Sequence, residues 1–237
     1  MTLRNKSSSA VSFTNGSLYK VDACKSLDNL QQLHTLTNCG QIIIYDTEYT
    51  AWEGSAERNW SLPWEHRELI QIGAVKMDLH PIARVVESFT VIIRPGINCK
   101  LSSYIMKLTG ITQKMVDKEG VDFADAIVSF YNFASAGSLP LLSYGDDFEI
   151  IIRNARLYGA PLPDFTSGAY DIRPLFEDCG IDTSRYSSGT VHQSFSIPFG
   201  GAAHDALNDA TSVALTLEQL VNSNTAWREA AERKSAA

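Results

Sequence analysis

The 237-residue chain carries 20 Lys and Arg residues against 27 Asp and Glu residues, a formal net charge of −7, and 44% of its residues are hydrophobic. This composition is typical of a folded chain with a substantial core and excludes a disordered or fibrous protein. The longest apolar runs, such as residues 42–45, are far shorter than the roughly 20 residues of a membrane span. The N-terminus lacks the apolar segment of a secretory signal, so we expect a cytoplasmic protein with no membrane partner.

The first 40 residues are less regular than the rest of the chain. Leucines recur at every third position between residues 27 and 36, which predicts one short helix over residues 26–37 after a loose tail. We therefore expect residues 1–40 to be a tail with a short helix packed on the core, and residues 41–237 to form the main domain.

Three successive strands are predicted in the first half of the main domain. The β-branched run 42–45 leads into Asp46 and Glu48, the second strand covers residues 68–77, and the third covers residues 83–94. Short turns separate these strands. The pattern predicts an antiparallel meander.

The second half of the chain alternates strands with helices. Strands are predicted over residues 139–144 and 168–172, and helices over residues 125–133, 148–158 and 206–221. Three antiparallel strands followed by this alternation predict an α/β fold, a mixed five-stranded sheet flanked by helices.

Two carboxylates occupy alternate positions of the first strand. Asp46 and Glu48 project to the same face of a strand, because side chains at positions i and i+2 do so. Two like charges on one face are unfavourable unless a cation lies between them, and Mg²⁺ and Mn²⁺ prefer such oxygen ligands. On its own, the pair is more typical of a solvated strand end.

Two further acidic clusters lie at predicted helix starts. Asp146 and Asp147 open the helix after the fourth strand, where acids also favour the helix dipole. Asp205 is a candidate N-cap of the last helix, and Asp209 lies inside that helix, where aspartate has no intrinsic advantage. His204 must lie in the preceding loop if it shares a site with Asp209, because five residues of helix rotate a side chain by about 140°.

The order of these residues along the chain carries a family resemblance. Asp-X-Glu on the first strand, Asp at a strand-to-helix junction and His-X4-Asp at the last helix resemble the DEDDh group of 3′→5′ exonucleases, the superfamily of RNase T and the DNA-polymerase proofreading domains. The resemblance covers residues 41–221 and includes the segments Glu-Leu-Ile-Gln-Ile-Gly at 68–73 and Leu-Thr-Gly-Ile-Thr at 108–112. Residues 46–52 and 143–145 look most like the Eri-type RNA-trimming branch. The resemblance implies an RNase H-like fold.

One position departs from the Eri-type pattern. That branch often has its middle acid three residues after the glycine, where this chain has Phe148, so the ligand is either Asp146 or Asp147. We favour Asp147 because Ile150 and Ile151 match the apolar pair that follows this acid in the superfamily. Asp146 is then the expected N-cap.

The resemblance implies a site and a reaction. Two divalent ions, Mg²⁺ or Mn²⁺, would be held by four acids, which are Asp46, Glu48, Asp147 and Asp209. His204 would be the general base that takes a proton from the attacking water. The expected reaction shortens single-stranded RNA or DNA from the 3′ end and releases 5′-nucleoside monophosphates. Both a monomer and a homodimer fit the resemblance.

Candidate substrate contacts lie after Glu48 and in the turn at 108–112. Tryptophans and tyrosines alternate there with Arg and His, a composition typical of a base-stacking loop, although tryptophans packed under the loop fit the pattern equally well. The predicted substrate-binding residues are Thr47, Tyr49, Trp52, Leu108, Ile111 and Thr112.

Two other functions fit the same residues. One is a nuclease-like adaptor that binds nucleic acid without cutting it, and the other is a phosphohydrolase acting on short oligonucleotides or dinucleotides. Competent residues at all five candidate catalytic positions favour an enzyme over the adaptor.

Overall fold

The computed structural model describes residues 24–36 and 40–225, whose strands form one six-stranded sheet in the order β1-β6-β5-β2-β3-β4. The strands are β1 (Lys25–Ser26), β2 (Gln41–Tyr49), β3 (Leu69–Asp78), β4 (Arg84–Ile92), β5 (Leu141–Ser143) and β6 (Ala169–Asp171). The α-helices are α1 (Leu30–Leu36), α2 (Ser103–Thr109), α3 (Gln113–Glu119), α4 (Phe123–Phe133), α5 (Asp147–Tyr158), α6 (Arg173–Asp178) and α7 (Ala206–Ser223). Two 3₁₀ helices cover Thr183–Arg185 and Ser188–Phe195.

The mixed sheet predicted from the sequence is confirmed. Strands β2, β3 and β4 pair antiparallel as a meander, although the 19 residues 50–68, and not the predicted short turn, connect β2 to β3. Strands β5 and β6 join parallel to β2 on its other side. The sixth strand is the two-residue β1, which pairs parallel to β6. None of the helices in residues 24–36 and 40–225 has both the length and the apolar character needed to cross a membrane.

The start of the N-terminal helix is where the sequence prediction was wrong. Residues 25–26 are a strand, and Leu27 extends its pairing by donating its backbone N–H to the carbonyl of Asp171 at 3.0 Å. Helix α1 begins only at Leu30, because the Asn29 side chain accepts the Gln32 backbone N–H at 2.9 Å and so caps the first turn. The predicted tail lies outside the described residues, and the domain division at residue 40 stays a prediction.

The sheet has a hydrophobic core on each face. On β2, Ile43 and Tyr45 pack in the core with α4 and α5, whereas Ile42 and Ile44 pack in the core with α7. Because side chains alternate along a strand, Asp46 and Glu48 continue the α7 face and Thr47 continues the α5 face. One strand therefore presents polar groups toward both helices.

Helix α7 begins directly against β3. A Cβ atom added at Gly73 would lie 2.1 Å from the Leu207 nitrogen and 2.3 Å from the Ala206 carbonyl carbon, so only glycine allows this approach. The Gln71 side chain accepts the Ala206 backbone N–H at 3.0 Å and donates to the Asp205 carboxylate at 3.2 Å. The segment 68–73 thus places the first turn of α7 over the sheet.

Candidate active site

Four carboxylates from three separate parts of the chain meet at one edge of the sheet. Asp46 and Glu48 lie on β2, Asp147 is the first residue of α5 after β5, and Asp209 lies in the first turn of α7. Strands β2 and β5 are parallel neighbours, so their carboxyl ends bring the first three acids together. All four acids and His204 line one cavity of about 460 Å³.

The middle acid that faces this cavity is Asp147. The Thr47 hydroxyl donates to its Oδ1 atom at 2.6 Å, which joins the start of α5 to the central strand. Asp146 is exposed, is not among the cavity-lining residues and occupies the N-cap position without making a side-chain capping bond. The geometry therefore places Asp147, and not Asp146, beside the other acids.

Asp209 is held from two sides. Its carboxylate accepts the Ser188 hydroxyl at 3.1 Å and the His204 backbone N–H at 3.2 Å. A Cβ atom at Gly189 would lie 2.4 Å from Asp209 Oδ1, so the glycine leaves room for the carboxylate. Asp205 caps α7 as predicted, by accepting the Asn208 backbone N–H at 3.0 Å.

His204 lies in the loop before α7, as sharing a site with Asp209 requires. It is exposed, and its backbone has a φ of 64°, in the left-handed region that few non-glycine residues adopt. One potential ligand atom from each of Glu48, His204 and Asp209 lies within 4.8 Å of the other two. These residues can jointly contact one cation or one water molecule.

Burial and the charges of neighbouring carboxylates disfavour ionisation of the four acids. Burial is the main cause that raises the pKa of Glu48 to about 8, with the charges of Asp209 and Asp147 next. Burial also raises the pKa of Asp147 and of Asp209 to about 6, and that of Asp46 well above its ordinary value. A group of buried oxygen donors that resists ionisation on its own fits hard divalent cations, whose charge favours the ionised form.

Without divalent ions, the free energy of unfolding is expected to fall as the pH rises from about 4 to about 8. Unfolded carboxyl groups titrate near pH 4, below the raised folded-state pKa values of Asp147, Asp209 and Glu48, so the folded chain binds more protons over this range. Below pH ~4 these groups do not lower the free energy of unfolding, and above pH ~8 they lower it by their full amount. Thermal unfolding in EDTA, and with Mg²⁺, from pH 5 to 8 tests this. Stabilisation by Mg²⁺ that does not grow with pH would contradict it.

Three of the six predicted substrate contacts line the cavity, namely Thr47, Tyr49 and Leu108. The other three do not line it. Ile111 is 2% exposed in a small core with Ile70, Thr112 caps α3 by accepting the Met115 backbone N–H, and Trp52 packs edge-on against Trp64 with ring centroids 4.7 Å apart.

The cavity also contains residues that were not predicted as substrate contacts, among them Trp60, Tyr104 and Ser188. Tyr104 precedes Leu108 by four positions on α2, so helical spacing could have indicated it. Trp60 belongs to the aromatic segment after Glu48. The sequence pattern of this segment does not distinguish residues that line the cavity from residues that pack under the loop. Ser188 lies on a 3₁₀ helix that was not predicted from the sequence.

Comparison with known proteins places this geometry in context. Residues 43–217 match the RNase_T family, described as exonuclease. The chain is 24% identical over 212 residues to the 3′-5′ exonuclease eri1 of Schizosaccharomyces pombe, covering 77% of this chain and 68% of that protein. It is also 24% identical over 201 residues to the 3′-5′ exonuclease Snipper of Drosophila melanogaster, covering 76% and 69%.

A solved structure shares the fold. The nuclease domain of 3′hExo, a DEDDh family member bound to rAMP, superposes with a TM-score of 0.66 at 23% identity, covering 77% of this chain and 92% of that domain.

Proposed function

Because this chain belongs to the exonuclease family and is a metal-dependent 3′→5′ exonuclease, we propose that it shortens single-stranded RNA or DNA one nucleotide at a time. The proposed products are 5′-nucleoside monophosphates. The observation that carries the proposal is the convergence of four carboxylates with raised pKa values, three of them buried and Asp147 half-buried, around one cavity that also contains His204.

Each candidate catalytic residue has a proposed role. Asp46, Glu48, Asp147 and Asp209 would hold two divalent ions, Mg²⁺ or Mn²⁺, on their carboxylate oxygens. When bound, the ions supply positive charge at the attacking and leaving oxygens of the phosphodiester. A ring nitrogen of His204 would accept the proton of the attacking water, and its place beside Glu48 and Asp209 supports this role.

The cavity has room for the terminal nucleotide. Its volume of about 460 Å³ lies within the range of roughly 300–1,000 Å³ usual for small-ligand pockets. Tyr49, Trp60 and Leu108 supply apolar and aromatic wall on which a base can stack. Thr47 lines the cavity, as its predicted substrate contact requires, and its hydroxyl also donates to Asp147.

A longer strand is favoured over a dinucleotide. A second hollow of about 570 Å³ adjoins the cavity, and Tyr104 and Leu108 line both. Lys107 and Glu53 both line this second hollow, so it carries one cationic and one acidic side chain. Space for a strand thus continues beyond the place of the terminal nucleotide.

The proposal is tested with 5′-labelled single-stranded RNA and DNA of matched sequence, in Mg²⁺, Mn²⁺ or EDTA. We expect a ladder that shortens one nucleotide at a time, with no shortening in EDTA, and mononucleotide products by chromatography. Hydrolysis of dinucleotides alone would select the small-substrate phosphohydrolase. Strand binding without hydrolysis in either metal would select the adaptor.

A further inference from the structure

A small hollow of about 220 Å³ adjoins the active-site cavity. Trp60 lines both spaces, and its ring lies 5.6 Å from the ring of the cavity residue Tyr49 and 4.0 Å from the guanidinium carbon of Arg67 in the hollow. The other side chains around this hollow include Asn59, His66, Arg67 and Arg153. It therefore combines cationic and hydrogen-bonding groups one ring away from the proposed site of the terminal nucleotide.

Arg67 is held in place from several directions. Its guanidinium carbon lies 4.0 Å from the centroid of the Trp60 ring, a cation–π contact, and its Nη2 atom donates to Asn59 Oδ1 at 2.5 Å. The Asn154 side chain is fully buried and donates to the backbone carbonyl of Arg67 at 2.8 Å. The same amide accepts the Leu69 backbone N–H at 2.9 Å, which ties this point to β3.

The segment that carries Trp60 is also braced. Arg58 donates from its Nε atom to both carboxylate oxygens of Glu65 at 3.1 and 3.0 Å, and the Ser55 hydroxyl donates to the same carboxylate at 2.7 Å. The Trp60 indole N–H donates to the Thr50 carbonyl at 3.1 Å. The aromatic wall and the guanidinium that stacks on it are therefore ordered before any ligand arrives.

The charge of Arg67 has no acidic partner in the described part of the chain. Among the residues that the structure describes, its guanidinium forms no ion pair with a carboxylate, and one of its five N–H donors is used by Asn59. Glu65, the acid in this hollow, is paired with Arg58, and Arg153 is paired with Glu149. The hollow thus offers a preorganised cationic fork that no carboxylate of the described residues pairs with.

We propose that this hollow binds a backbone phosphate of the substrate strand, on the 5′ side of the scissile linkage, through the guanidinium of Arg67. The inference rests on the proposed function. A rigid, half-buried guanidinium matches phosphate oxygens in a bidentate geometry. Because Arg67 stacks on the Trp60 ring that also lines the cavity, one strand can place its terminal base in the cavity and a more 5′ phosphate on Arg67.

The test removes the negative charge of one phosphate linkage of the strand at a time. Single-stranded oligonucleotides of the hydrolysed type carry one neutral methylphosphonate at successive 5′ positions, and kcat/KM is measured for the wild type and for Arg67→Met. We expect one position where charge removal lowers wild-type kcat/KM roughly tenfold, through KM, and has no effect in Arg67→Met. The slope of log affinity against log salt should fall by about 0.7 in the variant.

Matched variants make the test decisive. Arg84→Met removes an exposed arginine at the start of β4, far along the sheet from the cavity, and should keep the wild-type methylphosphonate profile. Arg67→Gln provides a second measurement if Arg67→Met lowers thermal stability.

A methylphosphonate effect that persists in both Arg67 variants, or that disappears in Lys107→Met, would overturn the assignment. The assignment would also be overturned if a substitution of Arg67 altered inhibition by free mononucleotide and nothing else. A wild type that hydrolyses no strand would instead refute the proposed function.

Discussion

Asp209→Asn is expected to abolish strand hydrolysis, by roughly a thousandfold or more, while leaving the fold intact. Asparagine has the same shape as aspartate but removes the negative charge from a proposed ligand of the divalent ions, and a loss of ~4 kcal/mol at the transition state is about a thousandfold in rate. Asp209 is 4% exposed, and an amide oxygen at the Oδ2 position can still accept the Ser188 hydroxyl and the His204 backbone N–H, which lie 3.1 and 3.4 Å from that atom. The measurement is the initial rate on labelled RNA and DNA with saturating Mg²⁺.

The same variant should be more stable than the wild type in EDTA at pH 8. The pKa of Asp209 is raised to about 6, so its ionisation in the folded state is unfavourable at this pH, and the amide removes that cost. Asp164→Asn, an exposed exchange of the same chemistry, should leave both rate and melting temperature unchanged. Near-wild-type hydrolysis by Asp209→Asn would refute the assignment of the site.

Gly73→Ala is expected to remove activity by displacing the start of α7. The added methyl group would lie 2.1 Å from the Leu207 nitrogen, and because this is backbone no side chain can rotate away. Overpacking of this kind typically costs about 1–3 kcal/mol, and contact with main-chain atoms places this variant at the upper end or beyond. Asp209 and His204 move with the helix start, so hydrolysis should fall even in the folded fraction.

Gly200→Ala is the matched control for this change. Its added Cβ would meet no atom within 4 Å, and its backbone is outside the left-handed region, so rate and stability should stay close to wild type. Thermal unfolding and hydrolysis per folded molecule are measured for both variants. A Gly73→Ala protein as active and stable as Gly200→Ala would show that the close contact of α7 with β3 is not required.

The sequence predicted the central part of this protein because strong local patterns mark it. The β-branched run before Asp46 predicts the central strand, and the order of the acids predicts which strand and helix ends they occupy. The choice of Asp147 over Asp146 followed from two isoleucines, and the bond from Thr47 is the long-range contact consistent with it.

The features that the sequence did not predict depend on contacts between distant residues or on local capping. The leucine spacing favoured a helix that starts at residue 26. The Asn29 side chain instead caps the first turn of α1, which begins at Leu30. Ile111 and Thr112 are occupied with core packing and helix capping, roles that their sequence neighbourhood does not distinguish from substrate contact. Ser188 reaches Asp209 only through the packing of its 3₁₀ helix on α7.

Helix α5 contributes to both ends of the proposed strand path. It begins with Asp147 at the acidic cluster, and two turns later its Asn154 holds the backbone of Arg67. The two positions are seven residues apart, which is roughly 10 Å along a rigid helix. The proposed hydrolysis site and the proposed phosphate site at Arg67 are therefore linked through one rigid helix, and we expect each cycle of shortening to place the next nucleotide in the same register.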